Sequence, residues 1–144
     1  MAFENPILDQ TYDTGSTNFL QYRVVRLTTS NTVVHTTAVS TGASAAIALG
    51  VTQTAPTAST SSTGTAVAVR HIGITKIEAS SRAVSVGNRV RATSGAVAST
   101  SRLGGTVRPT TAAARPGLGI ALTSAGAGTG KRLITVLLTL PSNG

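Results

Sequence analysis

The feature that most constrains the fold is a series of short stretches rich in Val, Ile and Thr, separated by turn-forming residues. Thr65 to Glu78 is a long example, in which Val67 and Val69 alternate with small or charged residues. A repeat of two places successive side chains on opposite faces of an extended strand, and β-branched side chains fit a pleated surface. The pattern predicts a strand here, with a bend or bulge at Gly73.

Other segments show the same character and recur at the spacing of about 8 to 12 residues that is typical of β-barrels and β-sandwiches. The expected strands are Gln21 to Thr28, Thr32 to Val39, Ala46 to Thr52, Asn88 to Ala92, Ala96 to Ala98 and Arg132 to Leu140. The last is apolar on both faces, which predicts a central position in a sheet. Asn31 suits a hairpin turn because Asn tolerates positive φ. Thr54 to Thr65 and Arg102 to Gly117 are expected to be irregular.

The composition excludes most helical folds. Among 144 residues there are 25 Thr and 14 Val, whereas Glu, Lys, Gln and Met, which favour helices, are scarce. The length is that of one domain. We therefore predict an all-β fold, a small single-domain β-barrel or β-sandwich with an extended N-terminal arm.

A weak internal repeat supports this prediction. Leu49-Gly50-Val51-Thr52, followed by Val67-Ala68-Val69, is similar to Leu118-Gly119-Ile120-Ala121 followed by Ile134-Thr135-Val136. The repeat predicts two similar hairpins on opposite sides of one barrel.

The N-terminal segment differs from the remainder of the chain. Three of the four acidic residues lie in the first 13 positions and all four aromatic residues in the first 22, whereas the remaining 131 residues carry all 12 basic residues. We divide the chain into an arm, residues 1–20, and a body, residues 21–144. Large apolar side chains anchor interfaces, so the arm is expected either to dock on a neighbouring molecule or to fold back and plug the end of the core.

Catalytic chemistry has few candidate residues. The chain has no Cys, and the body offers one carboxylate, Glu78, to a base or metal ligand such as His35 or His71. Ala125 to Arg132 is similar to a phosphate-binding loop, but Arg132 stands where that motif has Ser or Thr. We expect no catalytic site, no metal and no cofactor.

The basic body has two interpretations. Clustered Lys and Arg neutralise phosphates, but no aromatic residue of the basic region is available to stack on a base. Ten of the 12 basic residues are Arg, which pairs in a planar, bidentate manner with carboxylates. An acidic protein surface is therefore favoured over a specific nucleic acid. The apolar stretches are too short to span a membrane.

Several segments in order resemble the capsid decoration, or head cement, proteins of tailed phages. They are Leu49 to Pro56, Val67 to Val69, Gly73 to Ala79, Val86 to Val90, Gly95 to Val97, Gly117 to Leu122 and Leu133 to Leu138. The resemblance covers residues 20 to 140, although Asn88 stands where that family usually has Asp. It implies a compact β fold, often a homotrimer, that binds the major capsid protein on the outer surface of the virion and stabilises the shell.

The residues expected to dock on the capsid or on another subunit come from both parts of the chain. They are Phe3, Ile7, Leu8 and Tyr12 of the arm and Arg23, Arg26, Arg89 and Arg91 of the body. Two other functions remain open: a basic nucleic-acid-binding β-barrel, and an adhesion module on a virion surface.

Overall fold

The computed structural model describes residues 5–14, 19–28, 30–36, 48–55, 65–93, 105–110, 117–128 and 130–139. In this part of the chain there are nine strands and no helix. They are β1 (Asn5–Asp13), β2 (Val24–Leu27), β3 (Val33–His35), β4 (Gly50–Thr52), β5 (Ala66–Glu78), β6 (Arg89–Ala92), β7 (Val107–Pro109), β8 (Gly119–Ala121) and β9 (Leu133–Leu138). Accordingly, those residues include no helix long and apolar enough to cross a membrane.

All nine strands belong to one curled antiparallel sheet that resembles half of a barrel. The order is β3-β2-β4-β5-β9-β8-β6-β7, and β1 also pairs with β5. The prediction of a small all-β domain is confirmed. The two hairpins expected from the internal repeat are present as the β4–β5 and β8–β9 pairs.

The internal repeat extends much further than the sequence indicates. We name β1 to β4 with residues 66–71 of β5 the first repeat, and residues 72–78 of β5 with β6 to β9 the second repeat. The strand order is β1-β5-β4-β2-β3 in the first and β5-β9-β8-β6-β7 in the second. The chain is thus two copies of a five-strand unit that share the long strand β5.

Backbone hydrogen bonds match between the repeats. The Leu49 amide donates to the Val25 carbonyl at 2.8 Å, and the Leu118 amide donates to the Val90 carbonyl at 2.7 Å. Tyr22, with φ 63°, and Gly87, with φ 82°, occupy the same turn position before β2 and β6. Such agreement in register and turn geometry identifies a structural duplication.

A side-chain pair also recurs. The hydroxyl groups of Thr28 and Thr32 are 2.8 Å apart beside the β2–β3 hairpin, and those of Thr93 and Thr106 are 2.9 Å apart beside β6 and β7. Each pair is accompanied by a backbone hydrogen bond between the same two residues.

The repeats join at an irregularity in β5. The pairing with β1 shifts register on both sides of Leu8, which lies opposite Ile72, and the following Gly73 has φ 120°. One extra residue in a strand reverses the face on which its side chains lie. The bulge predicted at Gly73 is confirmed, and it lets β5 contribute to both cores.

Each repeat has its own apolar core, and the two cores are formed by residues at equivalent positions. The first contains Phe19, Val25, Val33, Val67 and Val69, with Tyr12 and Leu49 packed against it. Their counterparts Val84, Val90, Val107, Ile134, Val136, Ile77 and Leu118 all lie in the second core. Val24 and Val51 of the first repeat also belong to the second core, so the repeats pack against each other.

The structure differs from the sequence-based expectations in two places and does not describe a third. The segment Arg102 to Gly117 is not wholly irregular, since β7 within it pairs with β6. Strand β9 is central, between β5 and β8, but Leu133 on its second face is exposed. The expected strand Ala96 to Ala98 and most of the loop Thr54 to Thr65 lie outside the described residues.

Candidate docking surface

Three candidate residues of the arm, Ile7, Leu8 and Tyr12, lie on β1. Residues 5–13 pair with β5 of the same chain, which corresponds to the fold-back alternative raised for residues 1–20. The side chain of Ile7 is 70% exposed and that of Leu8 is also exposed. Phe3 lies outside the described residues. Backbone pairing therefore fixes this strand while two large apolar side chains remain on the surface.

Two polar contacts hold β1 in register. The Arg70 guanidinium donates from Nε to Asp9 Oδ1 at 2.8 Å and from the terminal nitrogen Nη2 to Oδ2 at 2.9 Å. The Tyr12 hydroxyl lies 2.8 Å from Gln10 Oε1 and 3.1 Å from His71 Nε2. Burial raises the pKa of the Tyr12 phenol. Tyr12 packs against the first core, so it supports the fold more than it offers a free surface.

Arg23 does not lie on the surface as a docking residue would. It is 3% exposed, and its Nη2 is 2.7 Å from Glu78 Oε2. A buried charge needs such a partner because removing it from water is costly. The single carboxylate of the body thus neutralises Arg23 inside the fold.

The other candidate arginines are on two strands. Arg26 is half-buried on β2. Arg89 is exposed and Arg91 half-buried on one face of β6, whereas Val90 and Ala92 are buried on the opposite face. The alternation predicted for β6 is confirmed, and the structure brings Arg89 and Arg91 together on one surface.

A row of directly opposed residues crosses the outer face of the second repeat. In register, Ile74 lies opposite Leu137, Leu137 opposite Ile120, and Ile120 opposite Arg89. Ile120 is 39% exposed, and Ile74 and Leu137 are half-buried. Strand spacing makes the row about 15 Å long. We name these four residues the outer row of the second repeat.

More exposed residues extend this surface. Leu133, on the same face of β9 as Leu137, and Leu122, two residues after Ile120, are also exposed. At the β6–β7 edge, Arg91 lies directly opposite Arg108. Ile120 was not expected at the site because its strand is short, and Arg108 was not expected because its segment was predicted to be irregular.

The two histidines have local partners. His35 is buried, its ring centroid is 4.4 Å from that of Phe19, and its Nε2 accepts the Leu20 amide at 3.3 Å. Burial, together with the charge of Arg23, lowers the pKa of His35 to about 4. Among the described residues no three His, Asp or Glu side chains come close enough to hold a metal ion.

The arrangement is thus a surface with apolar side chains flanked by arginines. Its chemistry suits burial against another molecule that supplies apolar area and carboxylates.

The fold has a counterpart among solved structures. The N base of the head fiber protein gp8.5 of bacteriophage phi29 superposes with a TM-score of 0.57 at 15% sequence identity. The match covers 92% of this chain and 93% of the phage chain, so the two share the overall fold. No protein-family model and no curated protein matches the sequence.

Proposed function

We propose that this chain is a structural protein of a tailed-phage head, a decoration or cement protein. It binds the outer surface of the assembled shell of the major capsid protein and stabilises that shell without catalysing a reaction. In this role it acts as a homotrimer on the outside of the virion.

The observation that carries the proposal is the likeness of fold, over nearly the whole of both chains, to the base of a phage head fiber. The ordered motifs between residues 20 and 140, which resemble decoration proteins, point to the same class. The formal charge of +8 and the arginines of the second repeat suit an acidic protein surface.

The physical basis of stabilisation is mass action. A protein that binds the assembled shell, and not its dissociated subunits, stabilises the shell by about 2.7 kcal/mol per site at a free concentration 100 times its Kd. A trimer that bridges several subunits gains further affinity because its second and third contacts are intramolecular.

The test uses shells purified from particles that lack the chain. Adding the purified protein to saturation should raise the temperature at which the shells lose their contents or dissociate. Equal heat resistance with and without bound protein would contradict the stabilising role. Binding to DNA with a steep salt dependence, and none to shells, would instead support the nucleic-acid alternative.

A further inference from the structure

The outer row of the second repeat has a counterpart in the first. There, Asp9 lies opposite Arg70, Arg70 opposite Val51, and Val51 opposite Val24. The first two form an ion pair at 2.8 Å, and the two valines are fully buried in the second core. Within one molecule, therefore, the second repeat covers the part of this row that lies on β4 and β2, whereas Asp9 on β1 is exposed.

The second row has nothing to cover it within the described residues. Ile120 occupies the position of Val51, and Arg89 occupies the position of Val24. Both side chains are exposed. The same scaffold position that is an internal interface in the first repeat is thus an external surface in the second.

The charged residues described on β6 and β7 are three arginines. Arg91 and Arg108 are directly opposite on adjacent strands. Arg89 lies two residues before Arg91 on the same face. Carboxylates from a bound molecule would form charge-assisted hydrogen bonds with exposed arginines such as Arg89.

We propose that the outer row of the second repeat, with Arg91 and Arg108, is the face that docks on the shell. The inference rests on the proposed function. Its partner is an acidic protein surface on the capsid subunit, with apolar side chains that cover Ile120 and carboxylates that pair with the arginines.

A second copy of this chain fits the face less well. The chain has four acidic residues, of which Glu78 is buried against Arg23 and Asp9 is paired with Arg70. Stacking of a further repeat would also require an apolar residue at position 89, as Val24 is in the first repeat. Arg89 therefore indicates a different protein as the occupant.

The experiment measures binding of purified variants to shells that lack the chain, by co-sedimentation over a range of concentrations. Ile120→Asp and Arg89→Glu change the docking face. Leu27→Asp, at a residue with a similar exposure of 41%, and Arg82→Glu, at an exposed arginine before β6, are the matched controls. Thermal melting of each variant checks folding, and Arg89→Glu decides the result if Ile120→Asp does not fold.

Each face variant should weaken binding about tenfold or more, and each control should remain within about twofold of the unchanged protein. Failure of the unchanged protein to bind shells would overturn the proposed function itself. Normal binding by both face variants would overturn the face alone. Variants that retain shell binding but lose self-association would assign the face to a second copy and contradict the capsid partner.

Discussion

The outer rows of the two repeats differ in a systematic way. In the first repeat the charged residues, Asp9 and Arg70, lie on β1 and β5, and the positions on β4 and β2 are apolar. In the second repeat Ile74 and Leu137 replace the ion pair, and Arg89 replaces Val24. In the first repeat the β4 and β2 positions are therefore used within the molecule, whereas in the second repeat the equivalent positions are exposed and available for the proposed docking.

The largest effect expected from this comparison concerns Arg23, whose counterpart in the second repeat is Asn88. Replacing Arg23 by Met removes the ion pair with the buried Glu78 carboxylate and should cost about 3–5 kcal/mol. Asn88→Met removes a hydrogen bond from the Ser85 amide at 2.9 Å and should cost about 1 kcal/mol. Chemical denaturation measures both. The double variant Arg23→Met/Glu78→Leu should lose less than Arg23→Met alone; an equal or larger loss would contradict the assigned pair.

Two equivalent glycines provide the next test. A methyl group at Gly50 would overlap the Arg70 carbonyl oxygen, and one at Gly119 would overlap the Leu137 carbonyl oxygen. Gly50→Ala and Gly119→Ala should therefore each destabilise the fold by about 3 kcal/mol. Gly126→Ala, where nothing lies within 4 Å, is the control. Clearly unequal losses at Gly50 and Gly119 would break the equivalence of the repeats.

The pH dependence of stability tests the burial of His35, whose counterpart in the second repeat is Pro109. The pKa of His35 is about 4 in the folded state, against 6.5 for a free side chain, so the unfolded state binds the proton first as the pH falls. Stability should decrease by about 2 kcal/mol between about pH 7 and about pH 5. Most carboxylates titrate below this range. His35→Asn should start less stable and lose this slope; a variant that keeps the slope would contradict its assignment to His35.

The smallest effects concern the two threonine pairs. Thr106→Val leaves the buried hydroxyl of Thr93 without its partner and should cost about 1–2 kcal/mol. Thr32→Val acts on a pair that is only partly buried and should cost less, about 0.5 kcal/mol. If thermal melts showed a larger loss of stability for Thr32→Val than for Thr106→Val, burial would not explain the difference between the two pairs.

The strands that could be predicted from sequence are those with a clear alternation or turn signal. β5, with its bulge at Gly73, and β6, with its alternating Arg and Val, follow from local pattern alone. β7 has one buried residue, Val107, and ends at Pro109, so it carries too little periodicity to be recognised.

The candidate site was less predictable because it depends on tertiary contacts. Arg is mostly exposed in proteins, so nothing local indicates that Arg23 pairs with Glu78 inside the fold. The duplication is faint in the sequence because the β2 and β6 segments share few identical residues, among them Val25 with Val90. The two segments adopt equivalent structures through backbone hydrogen bonds, and these can form with many different side chains.

A density map of shells saturated with this protein tests the central claim most directly. We expect the outer row of the second repeat to face the capsid subunit, with Ile120 covered and carboxylates of the subunit within about 3 Å of Arg89 or Arg108. A map in which this face points to solvent, or in which shells carry no density for the protein, would contradict the account.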